Sequence, residues 1–286
     1  MSIKVNNLSY TYNEGSPFEL KALKNINLEL DDNKVIAIVG ATGSGKTTLV
    51  QHFNALLLPT HGSLEVNGKL IEADVKPEGL KALRKNVGLV FQFPEYQLFE
   101  ETVVKDVAFG PKNFGVSEAE SLEIAKKYLN LVNISEDLYE RSPLDLSGGQ
   151  KRRVAIAGIL ALESNTLVLD EPTAGLDPQG ALEMMELFIN LHKLEEKTII
   201  IVTHDMEQVL NYCEEVVVID HGEIAGHYSV SEFFNEKDLL SKLDIEMPSL
   251  IKLREDLINK GFKNLDNILN AEDLVKAIKA EVEKWI

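Results

Sequence analysis

Val35-Ile36-Ala37-Ile38-Val39-Gly40-Ala41-Thr42-Gly43-Ser44-Gly45-Lys46-Thr47-Thr48 decides the fold. Its first five residues form a continuous apolar run of strand length, as in a strand buried on both faces. The remainder matches G-x-x-x-x-G-K-[ST] and leads into a predicted helix. Glycines there let backbone N–H groups close around phosphate oxygens. Lys46 reaches β- and γ-phosphates as a point charge, and the Thr47 hydroxyl is a hard oxygen ligand for Mg2+. Buried strand, phosphate loop and helix, in that order, predict an α/β fold that binds a nucleotide. They do not choose among kinases, GTPases and transport ATPases.

The discriminating residues lie downstream. Val87-Gly88-Leu89-Val90-Phe91 reads as a second buried strand ending at Gln92. That amide is placed to bond a metal-bound water and sense a γ-phosphate; seen alone, such a Gln is more often polar surface. Thr166-Leu167-Val168-Leu169 leads to Asp170-Glu171-Pro172-Thr173-Ala174-Gly175-Leu176-Asp177-Pro178. Packing explains two carboxylates at the end of a buried strand poorly. Asp170 suits Mg2+ binding through water, and Glu171 suits a base that orients or deprotonates an attacking water. Thr198-Ile199-Ile200-Ile201-Val202-Thr203 is a core strand capped by His204, while the other five of the six histidines read as surface residues.

Leu146-Ser147-Gly148-Gly149-Gln150 precedes a predicted helix, Lys151-Arg152-Arg153-Val154-Ala155-Ile156-Ala157-Gly158-Ile159-Leu160-Ala161-Leu162. Adjacent glycines are costly inside a helix, so they sit at its N-terminus. Bare N–H groups and the positive end of the helix dipole favour an anion there. A lone Ser-Gly-Gly is usually just a turn. The phosphate loop before it and the acidic strand end after it give this one more weight.

Composition narrows the classes. Hydrophobic content of 44% and charged content of 26% suit a soluble globular chain. No apolar run approaches the roughly 20 residues a membrane span needs, and no signal-peptide pattern opens the sequence. A single cysteine, Cys213, excludes an internal disulfide and fits a reducing cytoplasm. A net charge of −17 disfavours nucleic acid as the main partner and, equally, the anionic face of a membrane. Membrane work would then require a protein partner.

Together, residues 40–47, Gln92, residues 146–150, residues 167–177 and His204 resemble an ATP-binding-cassette (ABC) ATPase, over roughly the first 230 residues. The resemblance implies a P-loop NTPase with a RecA-like core. An antiparallel β part would form from Ile3-Lys4-Val5-Asn6-Asn7-Leu8-Ser9-Tyr10-Thr11-Tyr12 and Ile26-Asn27-Leu28-Glu29-Leu30. A helical subdomain would be inserted at about 93–161, with turns at Pro111, Gly115 and Pro143. In that family two cassettes meet head to tail, and each ATP is shared between them. By matching positions, Tyr12 stacks on adenine in preference to Tyr10. Gly40, Ala41, Thr42, Gly43, Ser44, Gly45, Lys46, Thr47 and Thr48 hold phosphate, and Thr47, Gln92 and Asp170 hold Mg2+. Glu171 is the base, His204 contacts the γ-phosphate, and Gln92 and Lys46 complete the catalytic set. Ser147, Gly148, Gly149 and Gln150 bind the nucleotide on the partner, and Asp177 lies in the loop crossing the interface.

A closer resemblance rests on Phe91-Gln92-Phe93-Pro94-Glu95-Tyr96-Gln97-Leu98-Phe99-Glu100-Glu101-Thr102-Val103, Phe109-Gly110-Pro111-Lys112-Asn113 and residues 152–158. It is to the ATPase subunits of energy-coupling-factor (ECF) vitamin importers, the second paralogue more than the first. This implies a second ATPase subunit, paralogue or self, and a transmembrane T protein whose arginine-bearing helix enters a groove at residues 93–103. Glu95, Glu100 and Glu101 would complement that arginine; the bland alternative is that Phe93, Leu98 and Phe99 only close the subdomain core. A substrate-binding S component is contacted indirectly, and the chain sits on the cytoplasmic face of the membrane. A metal-ion importer is the near rival. A mechanochemical ATPase would carry a long coiled coil, where only about 55 residues separate Gln92 from Ser147. A non-catalytic nucleotide sensor would not need both Glu171 and His204.

Residues 1–230 are thus expected to form the cassette and 231–286 a helical extension. Pro248 opens one helix there and Gly261 closes it. Leu274, Val275, Ile278, Val282 and Trp285 share a helical face, read as a small core or as a seam to the partner's tail.

Overall fold

The computed structural model describes residues 3–243 and 245–282. Among the described residues, ten strands form two sheets. β1 (Ile3–Tyr12), β2 (Leu20–Leu30), β4 (His61–Val66) and β5 (Lys69–Glu72) make an antiparallel sheet in the order β2-β1-β4-β5. The second sheet holds β3 (Val35–Val39), β6 (Val87–Val90), β7 (Thr166–Asp170), β8 (Thr198–Val202), β9 (Glu215–Asp220) and β10 (Glu223–Ser229), ordered β10-β9-β3-β8-β7-β6. All pairings in it are parallel except the β9–β10 hairpin.

Every residue of β3, β7 and β8 is buried, as their unbroken apolar runs require. Alternate side chains enter opposite layers. Ile36, Ile38, Ile200 and Val202 pack toward the antiparallel sheet with Leu8, Ile26 and Phe53. Ile199, Ile201, Leu167 and Leu169 face Phe188 and the helical insert. The C-terminal ends of β3, β7 and β8 therefore emerge side by side, where ligands of open α/β sheets bind.

Helices follow the signals that predict them. α1 (Lys46–Phe53) leaves the phosphate loop, and α2 (Leu80–Asn86) precedes β6. The insert comprises α3 (Val103–Asn113), α4 (Glu118–Leu131) and α5 (Gly148–Leu160), capped by Thr102, Ser117 and Ser147. Two expectations need correction. Pro111 is not a turn but lies buried in the last turn of α3, and the chain reverses at Phe114 and Gly115. Phe91 falls just outside β6.

α6 (Pro178–Glu195) and α7 (Met206–Tyr212) flank β8, and after the β9–β10 hairpin come α8 (Val230–Phe233), α9 (Lys237–Lys242), α10 (Ser249–Asn259) and α11 (Ala271–Val282). Pro248 caps α10, and Gly261, at φ +97°, follows it. This helical tail shares the core of the second sheet: Phe233, Phe234, Leu240 and Ile251 cluster with Val39, Val209, Val216 and Val218. The stripe on α11 is not a core. Leu274 is buried and Ile278 half-buried, but Val275 and Val282 are exposed, so only part of the stripe packs inward. Trp285 lies outside the described residues.

Candidate active site

The loop after β3 depends on glycine. A Cβ on Gly40 (φ +150°) would lie 2.1 Å from the Ile219 carbonyl oxygen, and one on Gly45 (φ +108°) 2.9 Å from that of Ala22. The β9–β10 turn braces the loop from outside. Gly222 N–H donates to the Ser44 carbonyl at 2.9 Å, and Lys24 N–H donates to the Gly222 carbonyl at 2.7 Å. Beside the loop opens a cleft of about 380 Å³, lined in part by Tyr12, Lys21, Lys24, Lys46, Thr47 and His221. The Tyr12 hydroxyl is 3.2 Å from Thr48 Oγ1, whereas Tyr10 turns edge-on to His52, ring centroids 5.0 Å apart. Tyr12, and not Tyr10, thus lines the cleft.

Five predicted residues come together where β3, β7 and β8 end. Thr47 donates its hydroxyl hydrogen to Asp170 Oδ2 at 2.8 Å. Burial pushes the Asp170 carboxyl up; the Thr47 bond opposes that shift and the neighbouring Glu171 charge adds to it. Burial also lowers the Lys46 ammonium, against the pull of Glu171 and Asp170, and its Nζ donates to the Gly40 and Ala41 carbonyls at 2.8 and 2.9 Å. Glu171 N–H donates to the Val202 carbonyl at 2.9 Å, and its Oε1 lies 2.8 Å from His204 Nδ1. Glu171 has φ +51°, a left-handed conformation that a non-glycine residue holds only when its surroundings impose it.

One carboxylate and one hydroxyl beside a phosphate loop fit Mg2+, which takes few protein ligands and leaves the rest to phosphate and water. Among the described residues no trio of His, Cys, Asp or Glu forms a protein-only metal cage.

Other predicted residues stand apart. Gln92 is exposed two residues past the end of β6, the strand that pairs with the one ending at Asp170, and it makes no hydrogen bond to Asp170 or Thr47. Ser147 and Gln150 form a reciprocal capping box on α5, with Ser147 N–H donating to Gln150 Oε1 at 2.9 Å. Gly148 and Gly149 are exposed, and a Cβ on either would meet nothing within 4 Å. Asp177 is exposed and caps α6, its Oδ1 accepting from Gly180 N–H at 2.6 Å.

Sequence reading missed Lys21, Lys24 and His221, which reach the cleft from β2 and the β9–β10 turn and carry no local motif. It also missed the role of Arg152. This buried side chain donates from Nη2 to the Glu171 and Pro172 carbonyls and from Nη1 to that of Ala174.

A family profile described as ABC transporter matches residues 23–174. The energy-coupling factor transporter ATP-binding protein EcfA2 of Enterococcus faecalis is 48% identical over 284 residues, spanning 99% of this chain and 98% of its own. The same-named protein of Latilactobacillus sakei is 50% identical over 262 residues, or 92% and 90% of the two chains. Among solved structures, cbiO1 from Clostridium perfringens, part of the ABC transporter complex cbiONQ, matches with TM-score 0.71 at 40% identity, covering 88% and 98%. A dimeric ATP-binding cassette in a post-hydrolysis state, bound to ADP and Pi, also gives 0.71, at 29% identity, covering 80% and 98%. The chain belongs to the ABC transporter ATPase family, whose α/β P-loop fold and nucleotide site it carries. Within that family it is an ATP-hydrolysing protein of the ECF-transporter type.

Proposed function

We propose that this chain hydrolyses ATP to drive import of vitamins or similar micronutrients, as one half of an ATPase pair with a paralogue or a second copy. The observation that carries this reading is a division of labour over two surfaces. Lys46, Thr47, Asp170, Glu171 and His204 cluster at one strand edge, while residues 147–150 face outward from α5 with open space over both glycines. Head-to-tail pairing gives each exposed signature loop a nucleotide to close on.

In this reading Tyr12 stacks on adenine and residues 40–48 hold the phosphates. Thr47, Asp170 and Gln92 hold Mg2+, which neutralises charge on the phosphate oxygens. Glu171 accepts the proton of the attacking water. His204, with Nδ1 committed to Glu171, keeps Nε2 for the γ-phosphate. Ser147, Gly148, Gly149 and Gln150 grip the nucleotide on the partner, and Asp177 reaches the interface while capping α6. ATP closes the pair because it binds the closed state more tightly, and loss of the γ-phosphate reopens it.

Motion passes to the membrane through residues 93–103. Phe93, Tyr96, Phe99 and Phe109 are exposed there, and Phe99 stacks edge-on against Phe109 with centroids 4.9 Å apart. A cavity of about 240 Å³ opens beside them. With Glu95 and Glu100 this surface suits an arginine-bearing helix of a transmembrane T protein. The S component is moved indirectly, and the chain is peripheral on the cytoplasmic membrane face.

Glu171→Gln in the reconstituted transporter tests the reading. ATP binding should persist while ATP turnover and uptake fall about 100-fold or more. Wild-type turnover in that variant would refute Glu171 as the base.

A further inference from the structure

One guanidinium joins the two surfaces. Arg152 rises from the second turn of α5, whose first residues are the exposed signature loop, and is only 3% exposed. It reaches the loop after β7 with three hydrogen bonds, at 3.1, 2.7 and 2.6 Å to the carbonyls of Glu171, Pro172 and Ala174. Arg153, one residue on, points elsewhere, to the Val132 carbonyl and the Glu183 carboxylate.

Glu171 needs outside restraint to hold its left-handed backbone, and three acceptors within four residues supply it. Packing alone does not call for a dry cation at this place, since an apolar side chain fills such a gap at lower cost. The group also has bonding capacity to spare. Arg152 Nε is buried without a partner, and so is Oε2 of Glu95, in the turn packed on α5.

We propose that Arg152 is a positioning residue. It links engagement of the signature loop by the partner's nucleotide to the orientation of Glu171 on the chain's own nucleotide, so the two shared sites hydrolyse cooperatively. This rests on the head-to-tail reading above.

The test uses the assembled ATPase pair with Arg152→Lys in this chain and Arg153→Lys as comparison. Lysine keeps the charge but offers its donors from a single nitrogen, not from the planar fork whose two terminal nitrogens reach the three carbonyls here. Arg152→Lys should leave the Kd for ATP and KM within about twofold, lower kcat about 10- to 100-fold, and bring the Hill coefficient from above 1 to about 1. Arg153→Lys should retain wild-type kcat and cooperativity. A non-cooperative wild type, an unchanged Arg152→Lys, or a defect confined to KM or melting temperature overturns the proposal. Should Arg152→Lys not assemble, hydrogen exchange on the wild-type complex decides. Residues 147–153 and 171–176 must gain protection along one ATP titration curve, and two separate midpoints overturn the link. Failure of the two-chain reading looks different: Glu171→Gln then forms no ATP-dependent pair, whatever Arg152 does.

Discussion

His52, read from the sequence as a surface residue, is instead fully buried in α1, with Nδ1 2.7 Å from the Thr48 carbonyl oxygen. Burial holds its imidazole down at about 4. The unfolded chain binds that proton near pH 6.5, so the folded state keeps its advantage above pH 6.5 and loses it as pH falls toward 4. The limiting loss is roughly 3 kcal/mol. His52→Phe keeps the edge contact with Tyr10 and removes the titration. Wild-type unfolding free energy, measured against that variant in urea, should therefore drop between pH 7 and pH 4; a constant difference would contradict the assignment. At this scale the sequence was informative for Asp170, Glu171 and His204, which end or follow buried strands and meet in the structure, but not for Gln92, which follows one and stands apart. It was silent on Arg152 and Lys24, whose partners are set by where distant elements meet.

Among the elements, α5 was legible because adjacent glycines after Ser147 mark a helix start and the run behind them has helix length; the Ser147–Gln150 capping box and the start at Gly148 came only with the structure. Pro111 misled because a proline signals an ending without saying which side of it the last turn lies; here α3 runs two residues past it. The tail's helices were legible, but its stripe on α11 was misread for a different reason. Its helices are amphipathic, but periodicity does not say which apolar face docks. Phe233 and Phe234, both 0% exposed, cover Val39, Val216 and Val218, whereas much of the α11 stripe stays outside. Phe233→Ala should destabilise the chain by about 3–5 kcal/mol in urea denaturation, and a loss under 1 kcal/mol would mean the tail is dispensable to the core. Truncation after residue 230 would uncover this layer, so a dimerisation seam on α11 is better tested with Val275→Lys, at an exposed position.

For the whole molecule, a net charge of −17 sets a repulsion that two copies, or two similarly acidic subunits, must overcome on closing. The phosphate loop and the outward-facing residues 147–150 lie on separate elements, and among the described residues no helix is long and apolar enough to cross a membrane. The fold was readable because a contiguous motif follows a buried strand, and the cluster of Lys46, Thr47, Asp170, Glu171 and His204 because each ends or follows one. How the faces couple was not, since Arg152 does that work through backbone carbonyls that any sequence would offer. The most direct measurement is sedimentation of Glu171→Gln, with its partner subunit where that is a paralogue, with and without Mg-ATP. Subunits of 31.9 kDa should pair on adding ATP, and Ser147→Arg should abolish the pairing while ATP still binds. Saturating ATP on single subunits, or pairing that persists with Ser147→Arg, would contradict the account.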